Sequence, residues 1–197
     1  TEHNILLQST AGDAITAGAG QYNFAAGLNA FGAATTGCRN VAIGLTALGG
    51  AVTTGINNVA IGSYAMDALT GGTYNVAMGQ DALGSSTSGC FNVAIGCRAI
   101  GAADTTGKCD IAIGVDAMDA LTTGLDNVAL RLNALGAATT GCYNIALGVL
   151  AMGGADTTGT WNIAIGTSAM DALTSGHNNI GIGRESLGQL TTVASNV

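Results

Sequence analysis

The chain has 197 residues, a net charge of −7, only five basic side chains and 9% charged residues in all. No clustered basic surface is available to neutralise phosphates, which excludes nucleic-acid binding, and no run of about 18 apolar residues offers a membrane-inserting span. Hydrophobic residues make up 48% and aromatics 4%, with 32 Gly and no Pro, a composition unlike that of disordered chains and suited to thin, tightly stacked layers.

Residues 1–22 read as a degenerate N-terminal capping coil in which Ile5-Leu6-Leu7 takes the place of a strand. The segment Thr1 to Ala11 lacks the basic and apolar regions of a signal peptide. From Asn23 onward one phrase recurs: Asn, a branched apolar residue, Ala, another apolar residue, Gly, two variable residues, Ala, then Leu or Met. It starts at Asn23, Asn40, Asn58, Asn75, Asn92, Asp110, Asn127, Asn144, Asn162 and Asn179, in steps of 17, 18, 17, 17, 18, 17, 17, 18 and 17 residues. A fixed period of this length means one supersecondary unit stacked many times, because a single unit cannot bury its own apolar side chains. Within Asn40-Val41-Ala42-Ile43-Gly44 the pattern alternates, so Val41 and Ile43 face one way and Ala42 the other, as in a short strand. The Gly that follows permits a turn or a close backbone approach. Arg131 alone interrupts this Gly series after Asn23. A left-handed Arg would be strained, so that coil either relaxes its turn or does without positive φ.

The second half of each unit presents a further apolar residue, at Phe31, Leu48, Met66, Leu83, Ile100, Met118, Leu135, Met152, Met170 and Leu187, expected to close the layer. In every third unit a Leu follows three residues after the Met (Leu69, Leu121, Leu173), a spacing that predicts a single helical turn. Small polar stretches such as 32–37 read as loops, and 188–197 as a polar C-terminal tail.

Stacking the units in register predicts an all-β fold: a parallel β-solenoid, of β-roll or β-helix type, with about ten coils of 17–18 residues spanning 23–187. Each coil is expected to bury about three medium apolar side chains, over a rod about 45 to 50 Å long. Asn23, Asn40, Asn58, Asn75, Asn92, Asn127, Asn144, Asn162 and Asn179 are expected to form a structural amide ladder, interrupted by the carboxylate of Asp110. The steps also group as 17 + 18 + 17, giving three 52-residue blocks in which Met-Asp-Ala-Leu and a Gly-Cys pair recur. Either a three-unit segment was duplicated, or three successive coils occupy different physical environments.

The Asn-Val-Ala-Ile-Gly phrase resembles the β-roll head repeats of trimeric autotransporter adhesins. Its extension through Ala-Leu and Thr-Thr-Gly is similar to repeats of bacteriophage tail-fibre proteins. The resemblance covers Asn23 to Leu187, although the unit is longer than the adhesin head repeat and no coiled-coil stalk is present. It implies a homotrimer and a non-enzymatic structural fibre or adhesin segment, located in a virion tail fibre or at an extracellular surface, that forms a stiff rod for host attachment.

Candidate chemistry is sparse. The two histidines, His3 and His177, fall at a terminus and a loop, which is unpromising for a Ser/His/Asp triad. Asp67, Asp119 and Asp171 recur with the repeat, and the dense acidic loops of a calcium site are absent. The five cysteines show no zinc spacing, and Cys38, Cys90 and Cys142 lie three coils apart, about 14 Å, beyond disulfide reach. No metal or cofactor is expected. Tyr74, Phe91, Tyr143 and Trp161, each just before a strand, are candidate contacts for a cell-surface glycan or a protein receptor, since exposed aromatics stack on sugar rings; packing against neighbouring coils or subunits is the other reading. Two further classes stay open. The recurring Thr pairs suggest an ice-binding face, although in an extended segment one Thr of each pair would turn inward. The block structure suggests a self-assembling extracellular filament.

Overall fold

The computed structural model describes residues 3–15 and 20–196. Thr1, Glu2 and residues 16–19 of the expected N-terminal coil, and Val197 of the tail, lie outside the described residues. The fold is an all-β parallel solenoid. Its strands are β1 (Ile5–Leu7), β2 (Phe24–Ala26), β3 (Val41–Ile43), β4 (Val59–Ile61), β5 (Val76–Met78) and β6 (Val93–Ile95). They continue as β7 (Ile111–Ile113), β8 (Val128–Leu130), β9 (Ile145–Leu147), β10 (Ile163–Ile165) and β11 (Ile180–Ile182). They form one sheet in sequence order, each pairing in parallel with the next and in register, for example Val41 with Val59 and Ile43 with Ile61. At about 4.8 Å per strand the stack is about 50 Å long. Residues 188–196 go round once more: the Asn196 N–H donates to Asn179 Oδ1, and the Asn196 carbonyl accepts from the Ile180 N–H.

The strand alternation has a definite inside. Ala25, Ala42, Ala60, Ala77, Ala94, Ala112, Ala129, Ala146 and Ala164 are buried, while the branched residues on either side point outward and stay half-buried or exposed. The interior is filled instead from the opposite wall, by a second Ala and one long side chain per coil, such as Ala47 with Leu48 or Ala65 with Met66. The expected three medium side chains per coil are therefore corrected: the strand gives the interior only its Ala, the opposite wall an Ala and one long chain, and the branched strand residues stay outside the buried core. Each such Leu, Ile or Met contributes about 1.5 to 3 kcal/mol before entropic costs.

A further interior column differs from coil to coil. In chain order it reads Ala34, Thr53, Leu69, Ser86, Thr105, Leu121, Ala138, Thr157, Leu173, all buried. One Leu, flanked by Thr and by Ser or Ala, fills the space that three equal side chains would overfill. The buried Thr hydroxyls donate to the carbonyls of Leu69, Leu121 and Leu173 at 2.8, 2.6 and 2.9 Å. Three successive coils thus do occupy different environments, which gives the 52-residue period a packing basis. The helical turn expected at Met66 to Leu69 is absent. The spacing makes an isolated turn, with the Leu69 N–H donating to the Met66 carbonyl at 3.1 Å, and among the described residues there is no helix.

Turning the chain so tightly requires left-handed backbone at three non-Gly positions per coil. In one coil these are Tyr74, Asp81 and Leu83, with φ of 60°, 55° and 49°. The Gly after each strand adds a fourth: Gly79 has φ 141°, and a Cβ there would lie 2.5 Å from the Gly96 carbonyl oxygen. Pro, whose φ is near −65°, fits none of these places. Arg131 keeps the turn with φ 100°, so its coil carries the strain instead of relaxing.

Candidate binding surfaces

The amide ladder is the most regular polar feature. Each Asn N–H donates to the side-chain oxygen of the preceding rung, as Asn40 does to Asn23 at 2.9 Å, and each Nδ2 donates to a carbonyl one coil on, Gly in every rung but Asn179, which reaches Val193; Asn40 reaches Gly55 at 2.9 Å. All rungs from Asn23 to Asn179 are buried. Asp110 keeps half of this pattern: its N–H donates to Asn92 Oδ1, and its Oδ1 accepts from the Asn127 N–H and Nδ2 at 2.9 and 3.0 Å. Its Oδ2 stands where the other rungs carry Nδ2, close over Gly107, and has no partner. Burial pushes this carboxyl up to about 7, with the Asp126 charge adding to the rise and the two Asn127 donors opposing it.

Asp67, Asp119 and Asp171 share another repeated place. The Oδ1 of each is buried without a hydrogen-bond partner. Asp67 and Asp171 pack on Gly50 and Gly154, where a side chain would collide. Burial raises the carboxyls of Asp67 and Asp119 above the usual range; Gly50 opposes the rise at the first and Arg98 at the second. Asp67, Asp81, Arg98 and Tyr64 line an open cleft of about 280 Å³, and Asp171, Glu185 and Ser168 a similar one of about 260 Å³. Among the described residues no group of three or more His, Cys, Asp or Glu is placed to hold a metal ion. Arg98 pairs with Asp116 at 2.6 Å on the surface.

The residues immediately before the ladder positions form an outward column. Their backbones are held at φ of about 56° to 62° from Tyr74 to Trp161, and successive coils are tied through this row, as by the Tyr143 N–H to the Leu125 carbonyl. Tyr74 stacks on Phe91, with centroids 5.0 Å apart and planes at 4°; Tyr143 stacks on Trp161 at 4.2 Å and 7°. All four are exposed, so the structure brings them into two stacked pairs and does not join the pairs. Between them stand Cys109 and Asp126, both small and exposed. His3 stacks on Tyr22, and His177 is exposed in a loop.

Beside this column runs the outer face of the sheet, a double row of Val, Ile, Leu and Met without a charged residue in any strand. Ile43, Met78, Ile111, Ile113 and Ile165 are 36 to 40% exposed, and Leu28, Leu45, Val115 and Leu132 widen the row after the turn. Alternation in the sequence signalled this row, but nothing in the phrase told it from a core-facing one. In three of the Thr pairs one member turns inward: Thr53, Thr105 and Thr157 are buried while their neighbours Thr54, Thr106 and Thr158 are exposed. The five cysteines are thiols, with Cys38, Cys90 and Cys142 half-buried and their Sγ–H directed at the carbonyl two residues earlier.

No family model, curated protein or solved structure matches this chain. Functional reading therefore rests on the surfaces themselves.

Proposed function

We propose that the chain is a structural fibre segment that works as a self-associated rod, most simply a homotrimer, of the kind used for surface attachment by phage tail fibres and extracellular adhesins. One observation carries the reading: the uncharged apolar face along β1 to β11, about 50 Å long by the strand spacing. Monomeric soluble proteins rarely leave a continuous apolar patch beyond a few hundred Å² open to water, and larger ones mark interaction surfaces. The face also runs the whole length of the stack and changes little from coil to coil, which suits parallel copies of the same rod better than a compact partner of unrelated shape. The rest of the molecule is built for rigidity, with a continuous ladder and a filled interior. Host attachment is the role such a rod would serve, with recognition in side chains that vary between coils.

The mass of the purified chain, by light scattering or sedimentation equilibrium, tests this. A discrete trimer is the expected result. A monomer at micromolar concentration would overturn it, and open-ended fibres seen by electron microscopy would move the assignment to a filament subunit.

A further inference from the structure

We propose that the break in the outward column over Cys109 and Asp126 is a binding slot for a neutral saccharide, held between the ring faces of Phe91 and Tyr143. This deepens the attachment reading by naming a ligand class and a place for it.

The argument begins with spacing. The column advances one residue per coil, and its backbone is pinned at every step by hydrogen bonds from Phe91 to Thr73, Cys109 to Cys90, Asp126 to Lys108 and Tyr143 to Leu125. Phe91 and Tyr143 are three coils apart, about 14 Å at the strand spacing, which leaves about 11 Å between their facing surfaces. That space admits a pyranose ring lying parallel to either aromatic wall, with the rest of the saccharide leaving the slot edgewise. The existing pairs show that flat rings stack in this row at one-coil intervals, with centroids 4.2 and 5.0 Å apart. Tyr74 and Trp161 cover only the far faces of Phe91 and Tyr143, so the faces toward the slot are uncovered by any neighbouring ring.

Chemistry then narrows the occupant. A pyranose has an apolar C–H face and a rim of hydroxyls, which matches an aromatic wall beside a hydrogen-bond acceptor. Asp126 is exposed at the centre of the slot and can accept two hydroxyl protons. It also lines, with Val128, Tyr143, Ile145, Trp161 and Ile163, a shallow and mostly apolar cleft of about 300 Å³ beside the Tyr143–Trp161 pair. The same carboxylate, on a chain of net charge −7, repels sialylated or sulfated sugars and the phosphates of nucleotides. An apolar wall with few convergent polar groups is the usual make-up of a small-ligand site.

Trp161 is the single Trp and is stacked on one wall of the slot, so its emission reports on occupancy. The full chain is titrated with cellobiose, maltose, lactose and chitobiose, and with sialyllactose as the anionic comparison, by Trp fluorescence and by ligand-observed saturation-transfer NMR. A saturable response to at least one neutral disaccharide is expected, weakened about tenfold by Tyr143→Ala and several-fold by Asp126→Asn. Cys109→Phe, which places a ring against the free face of Phe91 and narrows the slot, should weaken it several-fold while leaving unfolding unchanged. No saturable response to any of the four, equal binding of sialyllactose and lactose, or undiminished binding by Cys109→Phe would each overturn the proposal. Mass is measured on the same samples: a trimer without a sugar response sinks the slot alone, and a monomer that binds sugar sinks the self-association alone.

Discussion

At rung 110 the ladder carries a carboxyl group where its neighbours carry amides, and the missing donor has a thermodynamic consequence. By the register of the other rungs, Oδ2 faces the Gly124 carbonyl, an acceptor, so the rung is complete only when Asp110 is protonated and its hydroxyl donates. The folded-state pKa of about 7 lies above the ordinary 3.8. The folded chain thus holds this proton more tightly than the unfolded chain. Its contribution is full below about pH 4, is lost as pH rises toward 7, and stays lost above. Asp110→Asn is expected to restore the donor and stabilise the rod at pH 8 by on the order of 3 kcal/mol, with little difference from the parent at pH 3.5. Urea unfolding across pH 3.5 to 8 checks this, and a parent stability that is flat over that range would refute the neutral rung. Arg131 is a second local cost. Arg131→Gly should raise stability by about 1 kcal/mol by relieving a φ of 100°, whereas Gly79→Ala should lower it by about 2 to 4 kcal/mol because its Cβ meets the Gly96 carbonyl.

A single coil is defined by what it offers its neighbours. The interior column places Leu69 between Thr53 and Ser86, and Leu121 between Thr105 and Ala138, so no two Leu layers touch. Excision tests whether this order matters. Removing residues 75–126 joins Leu69 to Ala138 and keeps the alternation, so the shortened chain should unfold cooperatively with a midpoint close to the parent's. Removing 75–109 takes out two coils, sets Leu69 against Leu121 and Met66 against Met118, and should destabilise by about 1 to 3 kcal/mol through overpacking. Thermal melts of the two deletions against the parent give the answer. Equal melts would return the 52-residue period to a trace of duplication.

For the whole molecule the proposed self-association rests on the outer sheet face. A charge placed in it should cost the proposed association and leave the coil itself intact, because Ile113 is 40% exposed and lies outside the buried core. If the proposed assembly forms through this face, Ile113→Glu is expected to give monomers at micromolar concentration with unchanged circular dichroism, as read by sedimentation velocity. Retention of the parent mass would place the interface elsewhere.

The repeated phrase by itself determined the coil count, the parallel stacking and the register, because a 17- or 18-residue period with Asn at each start admits one alignment of neighbouring coils. It also marked Asp110 and Arg131 as exceptions. It did not determine which side of the strand is the inside. Alternation is symmetric between the two faces, and hydrophobicity favours burying Val and Ile, yet the narrow coil interior accepts Ala from the strand only because Leu, Ile or Met arrives from the opposite wall. The sequence placed Tyr74, Phe91, Tyr143 and Trp161 at one repeated position and offered packing on neighbouring coils as one reading, but their face-to-face stacking depends on side chains 17 or 18 residues apart projecting in one direction. Only the closed coil decided that, by holding every residue of the column in the same left-handed backbone conformation.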